Sequence, residues 1–242
     1  MVKYGKYGLL VRIVTIFTAL FAASPAIACR LALLLALDVS SSVDTTEDEL
    51  QRGGLASALL APEVQAAFFA AKDPVSLAVY EWSGRYNQQV ILDWTMINNP
   101  ATLLFAAETI ANSKRSHNEF PTAMGYALGY GAKMLASGPR CLEQILDIAG
   151  DGQNNEGFGP KLAYREFPFK NITVNGLVVN AGEYASETDL ITFYKSKVLL
   201  GPGAFLEIAQ GFEDYEHAMR RKLERELSPP VIGILLREDQ AG

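Results

Sequence analysis

The chain has 242 residues and a formal net charge of −6. This length suits one α/β domain with a sizeable core. The acidic charge argues against a nucleic-acid partner, because phosphate backbones would be repelled. Divalent cations are more compatible with this charge, although net charge alone locates no site.

Residues 1–28 have the order of a secretory signal peptide. A basic start is followed by an apolar run of 11 residues at 13–23 and by the cleavage pattern Ala26-Ile27-Ala28. A membrane span needs about 20 apolar residues, so an uncleaved anchor is the less favoured alternative. We expect cleavage after Ala28, which leaves a periplasmic or secreted protein of net charge −9. Cys29 would then come first; a lipid on it is a further alternative, but Ala26 stands where a lipobox prefers Leu.

The elements are predicted from hydrophobic periodicity. Residues 30–38 are nearly all Leu and Ala and end in polar residues, which favours a strand buried on both faces over a buried helix. Thr46 and Glu49 have capping-box spacing and predict a helix start. Gly125 and Gly129 predict a close approach of their helix to the sheet. In chain order, the further elements are helix 62–71, strands 74–82 and 89–94 as an antiparallel pair, helices 101–111 and 122–135, strands 141–148 and 172–179, helix 188–195, edge strand 204–208 and amphipathic helix 212–227.

Strands that alternate with helices predict the fold class. We expect a three-layer, doubly wound α/β domain over residues 29–228, with a mostly parallel sheet and one short antiparallel edge strand. The charged residues of the last helix are interpreted as its solvated face. Residues 229–242 form a tail whose apolar part, 231–236, has no assigned structure.

Three separated pieces of sequence carry the chemistry. They are Asp38-x-Ser40-x-Ser42 after the first strand, Thr122 at a helix start, and Asp151 after the strand that begins near Cys141. In a doubly wound sheet, ligands bind at the carboxyl ends of strands where the strand order reverses. Each piece alone is an ordinary turn or cap signal. Together they offer two carboxylates and three hydroxyls, which are ligands for a hard ion such as Mg²⁺.

This order and spacing resemble the metal-ion-dependent adhesion site of von Willebrand factor type A domains. Four longer phrases resemble a bacterial family of exported A-type proteins of unassigned function; they lie at 35–42, 81–84, 150–155 and 201–205. One departure is Pro121, where the family usually has a small or polar residue.

The resemblance also implies roles for the site residues. Ser40, Ser42 and Thr122 would bind Mg²⁺ (or Mn²⁺) directly, and Asp38 and Asp151 directly or through water. An Asp or Glu carboxylate of a partner protein would complete the shell. The chain would then be a binding module and not an enzyme, with no stable membrane span.

A disulfide is predicted from strand register in an A-type sheet, where the first and fourth strands are neighbours. Cys29 lies nine residues before Asp38, and Cys141 lies ten before Asp151, so both cysteines fall near the opposite edge of the sheet. Neighbouring strands are about 4.8 Å apart, within the range a disulfide accepts. The bridge would be worth roughly 4 kcal/mol on the chain-entropy model. The alternative is two free buried thiols.

Two other functions compete with this interpretation. A Mg²⁺-dependent phosphatase of the haloacid-dehalogenase type also has an Asp after its first strand and a later Gly-Asp-Gly motif. Here Ser40 and Asn155 stand where that enzyme needs acids, so general acid/base chemistry is missing. A subunit of an ATP-driven metal chelatase would be intracellular, which the signal peptide disfavours.

The remaining polar residues give weaker signals. His117 and His217 have no recognisable zinc spacing, and we expect His117 to lie in a solvent-exposed loop. Glu81 and Asp147 could contact the metal ligands without contacting the ion itself. The simpler interpretation is that each is a hydrogen-bonded polar residue at a strand end or in the core.

Overall fold

The computed structural model describes residues 29–180 and 184–228, so the predicted signal peptide and the tail lie outside the described residues. The described strands are β1 Cys29–Asp38, β2 Val75–Trp82, β3 Gln88–Ile97, β4 Cys141–Gly150, β5 Ile172–Val179 and β6 Leu206–Ala209. The described helices are α1 Thr45–Leu60, α2 Pro62–Phe69, α3 Pro100–Ala111, α4 Met124–Ser137, α5 Pro160–Glu166, α6 Tyr184–Phe193 and α7 Tyr215–Leu227. A π-helical turn, Tyr194–Val198, follows α6.

The six strands form one sheet in the order β3-β2-β1-β4-β5-β6. All neighbours are parallel except β2 and β3. The chain runs outward from β1 to one edge and then from β4 to the other. The strand order therefore reverses between β1 and β4, which places the ligand-binding crevice of this fold class at their carboxyl ends.

The central strand β1 explains the three layers. Its side chains alternate between the two faces, as the pleat requires. Leu31, Leu33, Leu35 and Leu37 join the core shared with α1, α2, α3 and α7. The alternate residues, Ala32, Leu34 and Ala36, join the core shared with α4, α5 and α6. Both faces are covered, so the predicted doubly wound α/β class is confirmed.

The predicted antiparallel edge strand is present, but it is longer than expected. The antiparallel strand is β3, which has ten residues and is as long as β1. The short edge strand is β6, which has four residues and pairs parallel to β5. The prediction ended this strand at Trp94, and the consecutive apolar residues Met96 and Ile97 break the alternation of apolar and polar residues that marks a strand.

Two helix starts also differ from the prediction. The capping box of α1 is not Thr46 with Glu49. Asp44 accepts from the Glu47 amide at 2.9 Å, and Glu47 accepts from the Asp44 amide at 2.7 Å. Helix α4 begins at Met124, so Thr122 lies in the preceding loop.

Gly125 and Gly129 of α4 allow a close approach of the chain around α5, and not of the sheet as expected. A Cβ on Gly125 or Gly129 would collide with Phe158 or with the Phe167 ring, which belong to the chain around α5. The glycine that allows close approach to the sheet is Gly131. A Cβ there would lie 2.9 Å from the side chains of Leu146 and Tyr80.

The interpretation of the α7 charges as a solvated face is wrong for Lys222 and Glu226, which are buried. The Lys222 ammonium lies 3.0 Å from an Asp147 carboxylate oxygen on β4 and 2.7 Å from Glu226. Asn175 on β5 also donates to Glu226, at 2.7 Å. Burial raises the pKa of Asp147 to about 7, and the Lys222 charge opposes this effect. Lys222 of α7 therefore supplies the positive charge that balances the buried Asp147 of the sheet.

Cys29 and Cys141 face each other at the amino ends of β1 and β4 and are joined in a disulfide, as predicted. Their Cα atoms are 4.5 Å apart. Parallel pairing continues from this bridge to Ala36 beside Ile148. The carboxyl ends of both strands are therefore level. Over the residues that the structure describes, no helix is both long and apolar enough to cross a membrane.

Candidate metal centre

The loop 39–44 follows β1 and folds back on it. The Val39 amide donates to Trp82 of β2 at 2.8 Å, and the Ser40 amide donates to Asp38 Oδ1 at 2.8 Å. The Val43 amide closes a turn on the Ser40 carbonyl at 3.0 Å. Asp38 and Ser40 are fully buried, whereas Ser42 is exposed. The polar side chains therefore pass from the buried Asp38 and Ser40 to the exposed Ser42.

Thr122 is held by the loop that follows β4. Asn155 Oδ1 accepts from the Thr122 amide at 2.9 Å. The amides of Asn155 and Glu156 both donate to the Thr122 carbonyl, at 3.0 and 3.2 Å. Pro121 does not move the threonine away, because Thr122 Oγ1 lies 3.2 Å from Ser40 Oγ.

The structure brings all five predicted site residues together. Ser42 Oγ donates to Asp151 Oδ1 at 2.8 Å, and Ser40 Oγ lies 3.1 Å from Ser42 Oγ. With the Thr122 contact, the hydroxyls form a chain that connects the ends of β1 and β4 to the loop before α4. The cluster lies at the point where the strand order reverses.

Asp38 has a buried carboxylate with a raised pKa. Its Oδ2 is buried and has no hydrogen-bond partner among the described residues. Burial, together with the nearby Asp151 charge, raises the pKa of Asp38 to about 8. Burial also raises the pKa of Asp151. A buried carboxylate oxygen without a partner is costly unless a cation or donor meets it. The residues present therefore fit a cation between the two acids.

The donor chemistry narrows the kind of cation. Carboxylate and hydroxyl oxygens suit Mg²⁺ and Mn²⁺. Among residues 29–180 and 184–228, no group of three or more His, Cys, Asp and Glu side chains is arranged to hold a metal ion.

Gly150, the last residue of β4, leaves the space that Asp38 needs. A Cβ on Gly150 would lie 2.7 Å from Asp38 Oδ2 and 2.9 Å from the Tyr194 hydroxyl. Tyr194 is fully buried, and its pKa is raised well above its usual value by burial and by the acids around it, so the hydroxyl stays protonated. Tyr194 could not be predicted from the sequence, because an isolated tyrosine in a helical segment gives no site signal.

Other supporting residues were also missed. Asn154 accepts from the Gly125 amide at 3.1 Å and so caps α4, whose own start has no side-chain cap. Gln51 on α1 donates to the Asp38 carbonyl at 3.0 Å. Arg115 contacts the carbonyls of loop 39–44. The Asn154-Asn155 pair was visible in the sequence, but its partners are about 30 residues away.

Glu81 and Asp147 follow the simpler interpretation. Glu81 accepts from the Arg52 side chain and, at 2.9 Å, from the Ser116 amide. Asp147 pairs with Lys222. His117 is exposed and packs edge-on against Phe120, with ring centroids 5.1 Å apart.

The fold is that of a von Willebrand factor type A domain. The chain is similar to the A-type protein from Catenulispora acidiphila, with TM-score 0.57 and 16% identity over 82% of this chain and 43% of that one. It is also similar to proximal thread matrix protein 1 from the mussel byssus, solved with a zinc-occupied MIDAS motif, with TM-score 0.57 and 16% identity over 83% and 48% of the two chains. A third similar structure is the pilus adhesin SpaC from Lactobacillus rhamnosus GG, with TM-score 0.59 and 12% identity over 82% and 30%.

The chain belongs to the family described as "Protein of unknown function (DUF1194)", whose model matches residues 28–231. The comparison with curated proteins gives no match. The chain spans less than half the length of these three solved structures, and at 12–16% identity the likeness to them concerns the fold alone.

Proposed function

We propose that this protein is an exported protein-binding module that captures a carboxylate of its partner through a bound Mg²⁺ or Mn²⁺ ion. The observation that carries the proposal is the cluster of five oxygen-bearing side chains from three separate chain segments, in which Asp38 Oδ2 is buried without a hydrogen-bond partner. The zinc-occupied MIDAS motif of the mussel protein and the adhesin fold of SpaC support it.

The residues divide into two groups. Ser40, Ser42 and Thr122 would bind the ion directly through neutral hydroxyls, and Asp38 and Asp151 would bind it directly or through water. Neutral ligands leave more of the ion's charge available, which favours an incoming Asp or Glu carboxylate. The protein's part is to orient these groups and to bury Asp38.

Export belongs to the same proposal. A signal peptide at 1–28, an A-type domain at 29–228 and a short tail at 229–242 would place the domain in the periplasm or outside the cell. The Cys29–Cys141 disulfide supports this location, because disulfides persist in oxidising compartments.

Metal-dependent stabilisation tests the site. We expect Mg²⁺ or Mn²⁺ to raise the melting temperature, because a ligand that binds only the folded state at 100 times its Kd adds about 2.7 kcal/mol. Ser40→Ala and Asp151→Ala should remove the shift. Ser41→Ala is the matched control, since Ser41 is exposed in the same loop. This substitution retains the hydrogen bond that the Ser41 backbone amide donates to the Phe120 carbonyl. An equal shift in all three variants would contradict the proposal.

Partner capture tests the function. Immobilised protein should retain a partner from envelope extract in Mg²⁺ and release it in EDTA, and Ser40→Ala should retain nothing. Retention that is unchanged by EDTA would argue against metal-dependent capture. If the protein hydrolyses p-nitrophenyl phosphate and Asp38→Asn loses this activity, the result would instead favour the alternative function of a phosphatase.

A further inference from the structure

The loop 112–118, between α3 and α4, places one arginine over the proposed metal loop. Arg115 Nη2 donates to the carbonyls of Val39 and Ser40, at 2.8 Å each. Arg115 Nη1 donates to the Val43 carbonyl at 2.6 Å, and Nε donates to the His117 carbonyl of its own loop at 2.6 Å. No role for Arg115 was predicted from the sequence.

These contacts supply hydrogen-bond donors to the backbone carbonyls of the turn at 39–43. The amides of Val39, Ser40, Ser41 and Val43 are all used within the site region, toward Trp82, Asp38, Phe120 and Ser40. The carbonyls of Val39, Ser40 and Val43 all accept from Arg115, and the Ser40 carbonyl also accepts from the Val43 amide. Hydrogen bonds from a charged guanidinium are about twice as strong as neutral ones. One side chain thereby fixes three carbonyls that hold Ser40 in place.

The loop 112–118 is itself anchored on both sides of Arg115. The Ser116 amide donates to Glu81 Oε1 at 2.9 Å, and Arg52 Nη1 donates to Ser113 Oγ at 2.7 Å. Arg52 is buried and paired with both Glu81 and Asp48. The position of Arg115 is therefore set by α1 and β2 and does not depend on a metal ion.

We propose that Arg115 is a positioning residue that holds loop 39–44 in its metal-binding shape before the ion arrives, and so sets the affinity for the ion. This inference rests on the proposed metal-dependent function. Lysine cannot replace the arginine, because an ammonium group is a compact point charge without the planar fork that spans several carbonyls.

The size of the effect follows from the population of the competent loop. If loss of Arg115 leaves the loop in its binding shape one-tenth of the time, the apparent Kd rises about tenfold. We expect at least this loss of Mn²⁺ affinity in Arg115→Gln, and most of it in Arg115→Lys. The control is Arg165→Gln, which removes the same charge at an exposed site on α5.

Two measurements on the full mature chain test the proposal. Amide hydrogen exchange in EDTA should become faster at residues 39–43 in both Arg115 variants, with the sheet unchanged, and should stay as in wild type in Arg165→Gln. Mn²⁺ binding, followed by the electron paramagnetic resonance signal of the free ion, should weaken in the same two variants. Faster exchange throughout the chain would mean general destabilisation and would overturn a positioning role.

The outcomes separate the two proposals. If wild type binds Mn²⁺ in a Ser40-dependent way and Arg115→Gln binds equally well, only the role of Arg115 fails. Full rescue by Arg115→Lys would also overturn it, because charge alone would then suffice. If wild type binds no Mn²⁺, the proposed function fails, and this inference fails with it.

Discussion

Lys222 shows how one buried residue can decide the stability of this protein. Its ammonium is enclosed with Asp147 and Glu226 and lies 4.6 Å from the centre of the Phe205 ring. Burial disfavours its charge, but the two carboxylates outweigh that effect and raise its pKa. A charge in this position is stable only as part of the group.

Removal of that charge should be costly. We expect Lys222→Met to lower the free energy of unfolding by about 3–5 kcal/mol, because it leaves buried acids without a counter-charge. Urea denaturation measures the change, and Lys170→Met, at an exposed position, is the control. A cost below 1 kcal/mol would show that the acids find another partner.

Asp147 should also make stability depend on pH. Because the folded state raises its pKa from the ordinary 3.8 to about 7, folding favours the protonated acid. Its stabilising contribution is complete below about pH 4 and is lost as the pH rises through 7, at up to about 1.4 kcal/mol per pH unit. Denaturation in EDTA should show a shallower decline for Asp147→Asn; an unchanged slope would contradict the assignment.

At the scale of elements, α4 illustrates how closely the layers pack. A methyl group at Gly131 would press against Leu146 and Tyr80 on the sheet, whereas a methyl group at Gly53 of α1 meets nothing within 4 Å. The two glycines therefore form a natural pair for comparison.

Alanine substitution should have opposite effects at these two glycines. Gly131→Ala should destabilise the protein by about 1–3 kcal/mol through overpacking. Gly53→Ala should stabilise it by roughly 0.5–1 kcal/mol, because alanine is the better helix former. Thermal denaturation of both variants measures this. A stabilised Gly131→Ala variant would show that α4 can move away from the sheet, and a destabilised Gly53→Ala variant would contradict the open space at Gly53.

The sequence predicted those elements whose cause is local or periodic. The apolar run of β1 reveals burial on both faces, and Asp38, Ser40 and Ser42 lie together in the chain. The roles of Arg115 and Asn155 could not be predicted, because their partners are loop carbonyls and amides about 30 to 76 residues away. The buried charges of α7 escaped notice for a related reason, since helical periodicity alone does not show that Asp147 lies opposite.

At the scale of the whole molecule, the disulfide and the candidate metal centre lie at opposite ends of the same two strands. The bridge joins residues 112 positions apart. On the chain-entropy model a loop of this size is worth about 4.7 kcal/mol.

The two ends should therefore respond independently. The double variant Cys29→Ala/Cys141→Ala should be less stable by roughly 4–5 kcal/mol, yet its melting temperature should still rise in Mg²⁺, because β1 and β4 remain paired. Thiol titration of the unreduced wild type should detect no free cysteine. Loss of the Mg²⁺ response in the double variant would show that the two ends are coupled.

The pairing of β1 with β4 also has a mechanical consequence. If a captured partner is pulled away while the chain is held near Cys29, the tension enters at Asp38 and Asp151 and runs along both strands to the covalent bridge. Tension on one strand would then be shared with the other through the bond between Cys29 and Cys141. The helices packed on either face would lie outside this path, so the domain could resist traction without first unravelling its cores.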